Sequence, residues 1–390
     1  MENKDKKWSY FKGLPGIVSL MLPVVFVMFF CGSGCKGHLQ ESTISEGDTL
    51  TQHARLLTLI NHGNGVISAQ VKNPWDTTRY LGRYLLVDRN LKDGEFEVTE
   101  GYAVIKVPVT SALVYSNVHA APIEEMGALD AIKGVADGDY FTSQRIRKRL
   151  ASKEIVDVGN SMSPSLEKII DLSPEIVLVS PYENSGHGVL DNSGVEIVEM
   201  ADYMEPTPLA RAEWIKLLGV LTGKTTESTN IFAKVESEYE KRRKTNDKQV
   251  LRPRVLADLP YSGVWSQPGG KSYVAALIRD AGGKPLLDED VSTGSVQMDI
   301  ANVLELGSKA DVWIIKHLTS LTKSDVVSMV PVATDFDAFK EGNIWLANTS
   351  AVPLFDDIAF HPERVLLDYM RIIHPERELK SETEYFQKIQ

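Results

Sequence analysis

Leu166-Glu167-Lys168-Ile169-Ile170-Asp171-Leu172, running into Ile176-Val177-Leu178-Val179, decides the fold, because the chain says it twice. Ile300-Ala301-Asn302-Val303-Leu304-Glu305-Leu306 leads into Val312-Trp313-Ile314-Ile315 with the same order of polar and apolar positions. A short, wholly apolar run beside a helical pattern suits a strand buried on both faces, as in a parallel sheet covered by helices. A second echo lies upstream of each copy. Val114-Tyr115-Ser116 ends one apolar run before a helix-like stretch, Ile123 to Ile132, and Val264-Trp265-Ser266 ends another before Tyr273 to Ile278 and Ala281-Gly282-Gly283. Each copy reads strand, helix, strand, helix, strand. Two α/β lobes of one plan leave a cleft between them, and clefts hold ligands.

Working outward, the first lobe is expected over 109–206, with further short apolar strands at Ile155-Val156-Asp157-Val158 and Glu196-Ile197-Val198. Ser163-Pro164-Ser165, with Glu167 close behind, is a helix start. Residues 207–250 hold the longest helical pattern. Leu209 to Leu221 is amphipathic and stops at Thr222-Gly223; Lys224 to Lys244 follows with Ile231, Phe232, Val235 and Tyr239 on one side. A connecting helix is placed there, and the second lobe over 251–390. Arg211, Glu213 and Trp214 lie just ahead of it. An i,i+2 pair shares no helix face, so they are expected to hold other elements rather than ligand.

Upstream, residues 52–108 alternate as strands do, in Gly65 to Val71 and Tyr80 to Val87, with Asn73-Pro74-Trp75-Asp76 as a turn. A small β-rich extension is expected. Residues 36–51 are polar and suit a flexible tether. Residues 1–35 are a leader: Lys4, Lys6, Lys7 and Lys12, then the uncharged run Leu14 to Phe30, then Gly32-Ser33-Gly34 before Cys35. This is a lipoprotein signal peptide with Cys35 as the lipidation site, and it places the body in the periplasm, anchored to the membrane. An uncleaved N-terminal anchor is the alternative.

At 390 residues and 43% hydrophobic, the chain is long enough for two domains. A net charge of −11 argues against a nucleic-acid partner. Both cysteines, Cys31 and Cys35, lie in the leader, so the body has no disulfide or thiol chemistry. No Gly-x-Ser-x-Gly, Walker A or Gly-x-Gly-x-x-Gly motif occurs, which leaves no reason to propose an enzyme.

Val158-Gly159 before Ser163 to Ile169, then Leu172-Ser173-Pro174-Glu175 before Ile176 to Leu178, resemble one family of ABC-transporter solute-binding proteins. Its members carry iron chelates, haem and cobalamin. Pro268-Gly269-Gly270-Lys271-Ser272, Ala281-Gly282-Gly283 and a late His361-Pro362 fit its second lobe. The resemblance covers about residues 110–375 and rests on order and spacing. It implies the class III periplasmic binding protein fold: α/β, with two Rossmann-like lobes joined by a long, rather rigid connecting helix. The function it implies is capture of a ferric siderophore or haem by a monomeric lipoprotein that delivers it to the permease. Cobalamin capture is an alternative, as is an envelope enzyme acting on a metal macrocycle. In the family one surface glutamate on each lobe docks onto permease arginines. Glu167 matches the first; the repeat puts Ala301 at the second, where Asp299 or Glu305 stands in.

Aromatic faces at strand ends suit a flat or macrocyclic ligand. Tyr115, Tyr140, Tyr182, Tyr203, Tyr261 and Trp265 are therefore candidate contacts, with Asn117 and His119 in the loop after the first-lobe strand. Trp265 stands out because Ser262 to Gly269 is rich in turn residues. Arg145, Arg147, Lys148 and Arg149 face either an anionic chelate or solvent. His119, His187, His317 and His361 show no His-x-His or i,i+4 spacing, so no metal site or resident cofactor is expected.

Overall fold

The computed structural model describes residues 47–246, 251–377, 379 and 382–390; the leader, Cys35 and the tether to residue 46 lie outside them. Strands β1 (Asp48–Thr49), β2 (Leu57–Asn61), β3 (Val66–Lys72), β4 (Tyr80–Asp88) and β5 (Ala103–Val107) form one sheet in that order. Neighbours are antiparallel up to β4, and β5 returns parallel to it. The last residues expected in the tether belong to this sheet instead: Asp48 and Thr49 pair with Asn61 and Ile60, filling the open edge of β2. Leu57, Leu59, Ala69 and Val71 are fully buried on its inner face.

The first lobe is a parallel sheet of β6 (Ala112–Val114), β7 (Ile132–Val135), β8 (Val156–Asp157), β9 (Ile176–Val179) and β10 (Glu196–Glu199). Their spatial order is β10-β9-β6-β7-β8, a doubly wound arrangement. Helices α1 (Asn117–Glu125), α2 (Gln144–Ala151) and α3 (Leu166–Leu172) start at Ser116, Ser143 and Ser165, whose hydroxyls accept from amides inside the first turn. The expected helix from Ile123 to Ile132 is divided. Gly127, at φ +77°, turns the chain out of α1, and Ile132 opens β7.

The connector is α4 (Pro208–Ala212), α5 (Ile215–Leu221) and α6 (Thr225–Lys244), the last 20 residues long and about 30 Å from end to end. Two fully buried carboxylates tie the extension to it. Glu213 accepts from the amides of Gln52, His53 and Ala54 at 2.7–2.9 Å and from Lys216 Nζ at 2.7 Å. Glu205 accepts from the amides of Arg55 and Leu56 at 3.0 and 2.9 Å and from Trp214 Nε1 at 3.0 Å. Arg211 is bound to Asp202. These residues hold elements together, as their spacing implies.

In the second lobe β11 (Arg254–Ala257) leads to β12 (Val264–Pro268), α7 (Tyr273–Asp280), β13 (Lys284–Pro285) and β14 (Ser295–Asp299). Then come α8 (Ile300–Gly307), β15 (Val312–His317), α9 (Lys323–Met329), α10 (Asp337–Lys340) and β16 (Ile344–Asn348). Helices α11 (Leu354–Phe360) and α12 (Pro362–Ile373) and strand β17 (Gln387–Lys388) end the chain. The sheet runs β13-β11-β15-β16-β17, parallel except at β17. Strands β12 and β14 form a separate antiparallel ribbon.

That ribbon corrects one half of the internal echo. The lobe's first sheet strand is β11, and Val264-Trp265-Ser266 belongs to the ribbon. Trp265 is therefore core and no ligand contact: it is 0% exposed, 5.6 and 5.7 Å from the ring centres of Trp313 and Phe336, and donates from Nε1 to the Ala257 carbonyl at 2.9 Å. A two-residue period sends Trp265 and Gln267 inward and leaves Val264 and Ser266 exposed. The other half of the echo stands. Ser165 caps α3 before β9 and Asp299 caps α8 before β15, which sets Glu167 against Ala301.

One core runs continuously from the extension through the first lobe and connector to α11 and α12, with Tyr84, Trp214, Leu218, Phe232, Phe360 and Tyr369 along it. A second, around Trp265, Trp313 and Phe336, belongs to the second lobe.

Candidate functional site

Ligands in open α/β sheets bind beyond the carboxyl ends of the strands, where strand order reverses. In the first lobe that point lies between β6 and β9. The chain leaves β6 into Tyr115 and Ser116, β7 into Ala136 and Asp137, and β9 into Ser180. From the second lobe β15 leads into Leu318 and β16 into Thr349 and Ser350. The ends of β6 and β7 face those of β15 and β16 across a cavity of about 380 Å³. Tyr115, Ser116, Asn117, Asp137, Tyr140, Thr142 and Arg147 line its first-lobe wall; Leu318, Thr349, Val352, Phe355 and Asp356 line the other. A smaller cavity of about 210 Å³ adjoins it at Ser116 and Val118, walled by His119, Ser180, Tyr182, Asp202, Tyr203 and Arg211.

Three buried polar atoms of residues on these walls have no hydrogen-bond partner among the described residues: Tyr115 Oη, Asn117 Oδ1 and His119 Nδ1. They come from one five-residue segment where β6 gives way to α1. An unsatisfied buried polar group costs about 1–3 kcal/mol, so three together mark a surface shaped for something other than stability. Asp356 adds to this. It is 9% exposed, and its Oδ2 accepts across the cleft from Asn117 Nδ2 at 2.7 Å and Thr142 Oγ1 at 3.3 Å. Burial pushes its carboxyl up to about 6 against those two hydrogen bonds, and Asp357 adds to the rise.

The tyrosines keep their protons. Burial, then the charge of Asp137, raises Tyr115 to about 12, and burial raises Tyr203, whose hydroxyl donates to the Pro181 carbonyl at 2.5 Å. Tyr140 and Tyr182, 70% and 61% exposed, line the larger and the smaller cavity respectively. His119 is 1% exposed and joins a buried hydrogen-bonded chain: its Nε2 lies 2.9 Å from Asp202 Oδ1, and Arg211 Nε donates to Asp202 Oδ2 at 2.9 Å. Burial pushes Asp202 up, but Arg211 and His119 outweigh it and hold the carboxyl low.

The structure thus brings together Tyr115, Asn117 and Tyr140 at the larger cavity and His119, Tyr182 and Tyr203 at the smaller. Two expected contacts stand apart. Tyr261 is 86% exposed in the turn before β12 and lines neither cavity, because the ribbon carries it away from the strand ends; Trp265 is core. Arg145 and Arg149 pair with Glu124 and Asp130, and of that basic run Arg147 lines the cavity. His187, His317 and His361 go to Glu199, Thr319 and Glu125 respectively. Among the described residues, no group of three or more His, Cys, Asp or Glu could hold a metal ion. Sequence reasoning missed Thr142, Phe355 and Asp356. The available signal was Thr349-Ser350 after an apolar strand, the counterpart of Tyr115-Ser116. Glu167 is exposed on the first turn of α3; Asp299 is exposed too, but its carboxylate accepts from Asn302 N at 2.7 Å and so caps α8.

Comparison with known proteins agrees with this geometry. Residues 120–350 match a family described as periplasmic binding protein. An uncharacterized lipoprotein of Methanocaldococcus jannaschii is 28% identical over 305 residues, which span 74% of this chain and 71% of that one. Among solved structures, a possible iron-binding (periplasmic solute-binding) protein from Staphylococcus epidermidis aligns with TM-score 0.53 and 16% identity, covering 68% of this chain and 99% of its own. A periplasmic heme binding protein from Pseudomonas aeruginosa aligns with TM-score 0.56 and 14% identity, covering 72% and 98%. With more than half its length matched, and two parallel-sheet lobes facing each other across a switch-point cleft, the chain belongs to the periplasmic binding protein family and has its class III fold.

Proposed function

We propose that the protein captures a metal chelate, a ferric siderophore or haem, in the interlobe cleft and hands it to an ABC permease. The observation that carries this is the row of buried atoms without a partner among the described residues, Tyr115 Oη, Asn117 Oδ1 and His119 Nδ1, in residues of the cavity walls. Such atoms fix the orientation of a polar ligand, while the ring faces of Tyr140 and Tyr182 cover its apolar surface. The lining favours a preformed chelate over a bare metal ion, since among the described residues no group of three or more His, Cys, Asp or Glu could hold one. The iron- and haem-binding descriptions of the similar structures point to the same ligand class. The leader ending at Cys35, with the lipoprotein relative, supports lipid anchoring outside the cytoplasm. Glu167 is the docking residue on the first lobe, and Asp299, engaged as a helix cap, the weaker one on the second.

Isothermal titration of the purified protein with a ferric hydroxamate chelate, haemin and cyanocobalamin tests the reading. Among the described residues no tryptophan lines either cavity, so calorimetry reports better than intrinsic fluorescence. One-to-one binding of a ferric chelate or haemin, weakened by Asn117→Ala, is the expected result. Tighter binding of cyanocobalamin would replace the iron-chelate reading with a corrinoid one. Chemical turnover of the bound chelate would replace capture with catalysis.

A further inference from the structure

The charged groups around the larger cavity are out of balance. Asp137, Asp139 and Asp356 line it against a single cation, Arg147, whose Nε already donates to the Phe141 carbonyl at 2.5 Å. Elsewhere in the cleft the acids are neutralised. Asp202 has Arg211 and His119, Glu125 has His361, Glu124 has Arg145, and Asp357 has Arg364 at 3.5 Å. Asp137 takes the Ser161 amide at 3.2 Å. Asp356 differs from all of them: more than nine-tenths buried, it is held by two neutral donors, and among the described residues no cation pairs with it.

Its neighbour repeats the bias. Asn117 spends its amide nitrogen on Asp356 and leaves Oδ1, an acceptor, buried and without a partner among the described residues. The two walls of the cavity therefore present more acceptors and negative charge than cations, with Asp356 buried among them, and such a lining favours donors and cations and disfavours anions. Resting on the chelate-capture reading, we propose that this cavity selects chelates that are neutral or carry an ammonium group and rejects polyanionic ones, with Asp356 the residue that recognises the charge. Burial raises the Asp356 carboxyl only to about 6, so it is ionised at neutral pH.

Three probes of different charge test this on the full chain by calorimetry at neutral pH. Ferrioxamine B carries one free ammonium, its N-acetyl derivative is neutral at nearly the same size, and the ferric tris-catecholate complex is triply negative. The ammonium form should bind about tenfold tighter than the acetylated one, the scale of one charge-assisted hydrogen bond. The trianion should bind at least about a hundredfold more weakly than either. Asp356→Asn should bring the two hydroxamates within about twofold of each other, and Asp139→Lys, on the exposed rim, should strengthen binding of the trianion. A trianion that binds as tightly as ferrioxamine B would overturn the charge assignment alone. So would an Asp356→Asn protein, folded by circular dichroism, that keeps the full preference. Failure of all three probes to bind, with haemin also giving no heat of binding, would instead sink the capture reading, and the charge assignment with it.

Discussion

Asp356 carries a stability cost that the cleft imposes. Its folded pKa, about 6, lies above the ordinary carboxylate value, because burial disfavours the charged form. The native state therefore holds the proton more firmly than the unfolded chain. That advantage is complete below about pH 4 and lost as pH rises through about 6. Asp356→Asn should raise Tm by roughly 2–5 °C at neutral pH and by much less near pH 4, which calorimetric scans at the two pH values would show. Trp265 is the opposite case. Its indole fills the second-lobe core between Trp313 and Phe336, so Trp265→Ala should cost about 3–5 kcal/mol in denaturant unfolding. Chelate affinity of the folded fraction should not change; a large loss of affinity would return Trp265 to the site.

Among the elements, the extension depends on two glutamates. Five consecutive amides, Gln52 to Leu56, end on the buried carboxylates of Glu213 and Glu205. Removing Glu213 leaves Lys216 Nζ with the Leu50 carbonyl alone and takes the acceptor from three amides around a fully buried side chain. Glu213→Ala should cost about 3–5 kcal/mol and open the segment before β2 to limited proteolysis ahead of the rest of the molecule. Cleavage at the wild-type rate would show that the clamp is dispensable. Of the clamp, Glu213 was legible in sequence as a structural partner, since it and Arg211 cannot share a helix face; Glu205 was not. What they would bind was not legible, because their partners lie about 150 residues away in sequence. The misplaced helix from Ile123 to Ile132 has a local cause: the apolar period runs across Gly127, whose positive φ is the true boundary.

Across the whole molecule, the lobes are bound by charge as well as by core. His361 Nε2, just ahead of α12, sits 2.8 Å from Glu125 at the end of α1. Burial pulls the imidazole pKa down, but the hydrogen bonds to Glu125 and Glu363 outweigh it and push it up to about 9. A raised histidine contributes stability that is full below its ordinary value, about 6.5, and is lost as pH rises through about 9. The size is roughly 2–3 kcal/mol. Wild-type Tm should fall between about pH 7 and pH 10, and His361→Gln should flatten that fall. A parallel fall in the variant would place the pH dependence elsewhere. Transport belongs to the same scale. Glu167→Arg should abolish chelate uptake in a reconstituted importer while leaving calorimetric binding unchanged, and normal uptake would remove Glu167 from the docking surface.

Sequence by itself determined the two-lobed α/β plan, because buried parallel strands and the helices beside them are written in local hydrophobic periodicity, and here they are written twice. It also determined the first-lobe wall of the site, since Tyr115, Asn117 and His119 follow directly on a strand that the apolar run Ala112-Leu113-Val114 announces. Tertiary structure alone decided the second wall. Asp356 gives no local sign of function; it becomes a buried carboxylate held by neutral donors only when α11 meets α1 and Asn117 and Thr142 reach it from the other lobe. The same holds for Trp265, which leaves a turn-rich stretch for the core because β14, some 30 residues on, pairs with its strand. Periodicity is a property of neighbours along the chain. Charge balance and desolvation belong to neighbours in space, and there the site is made.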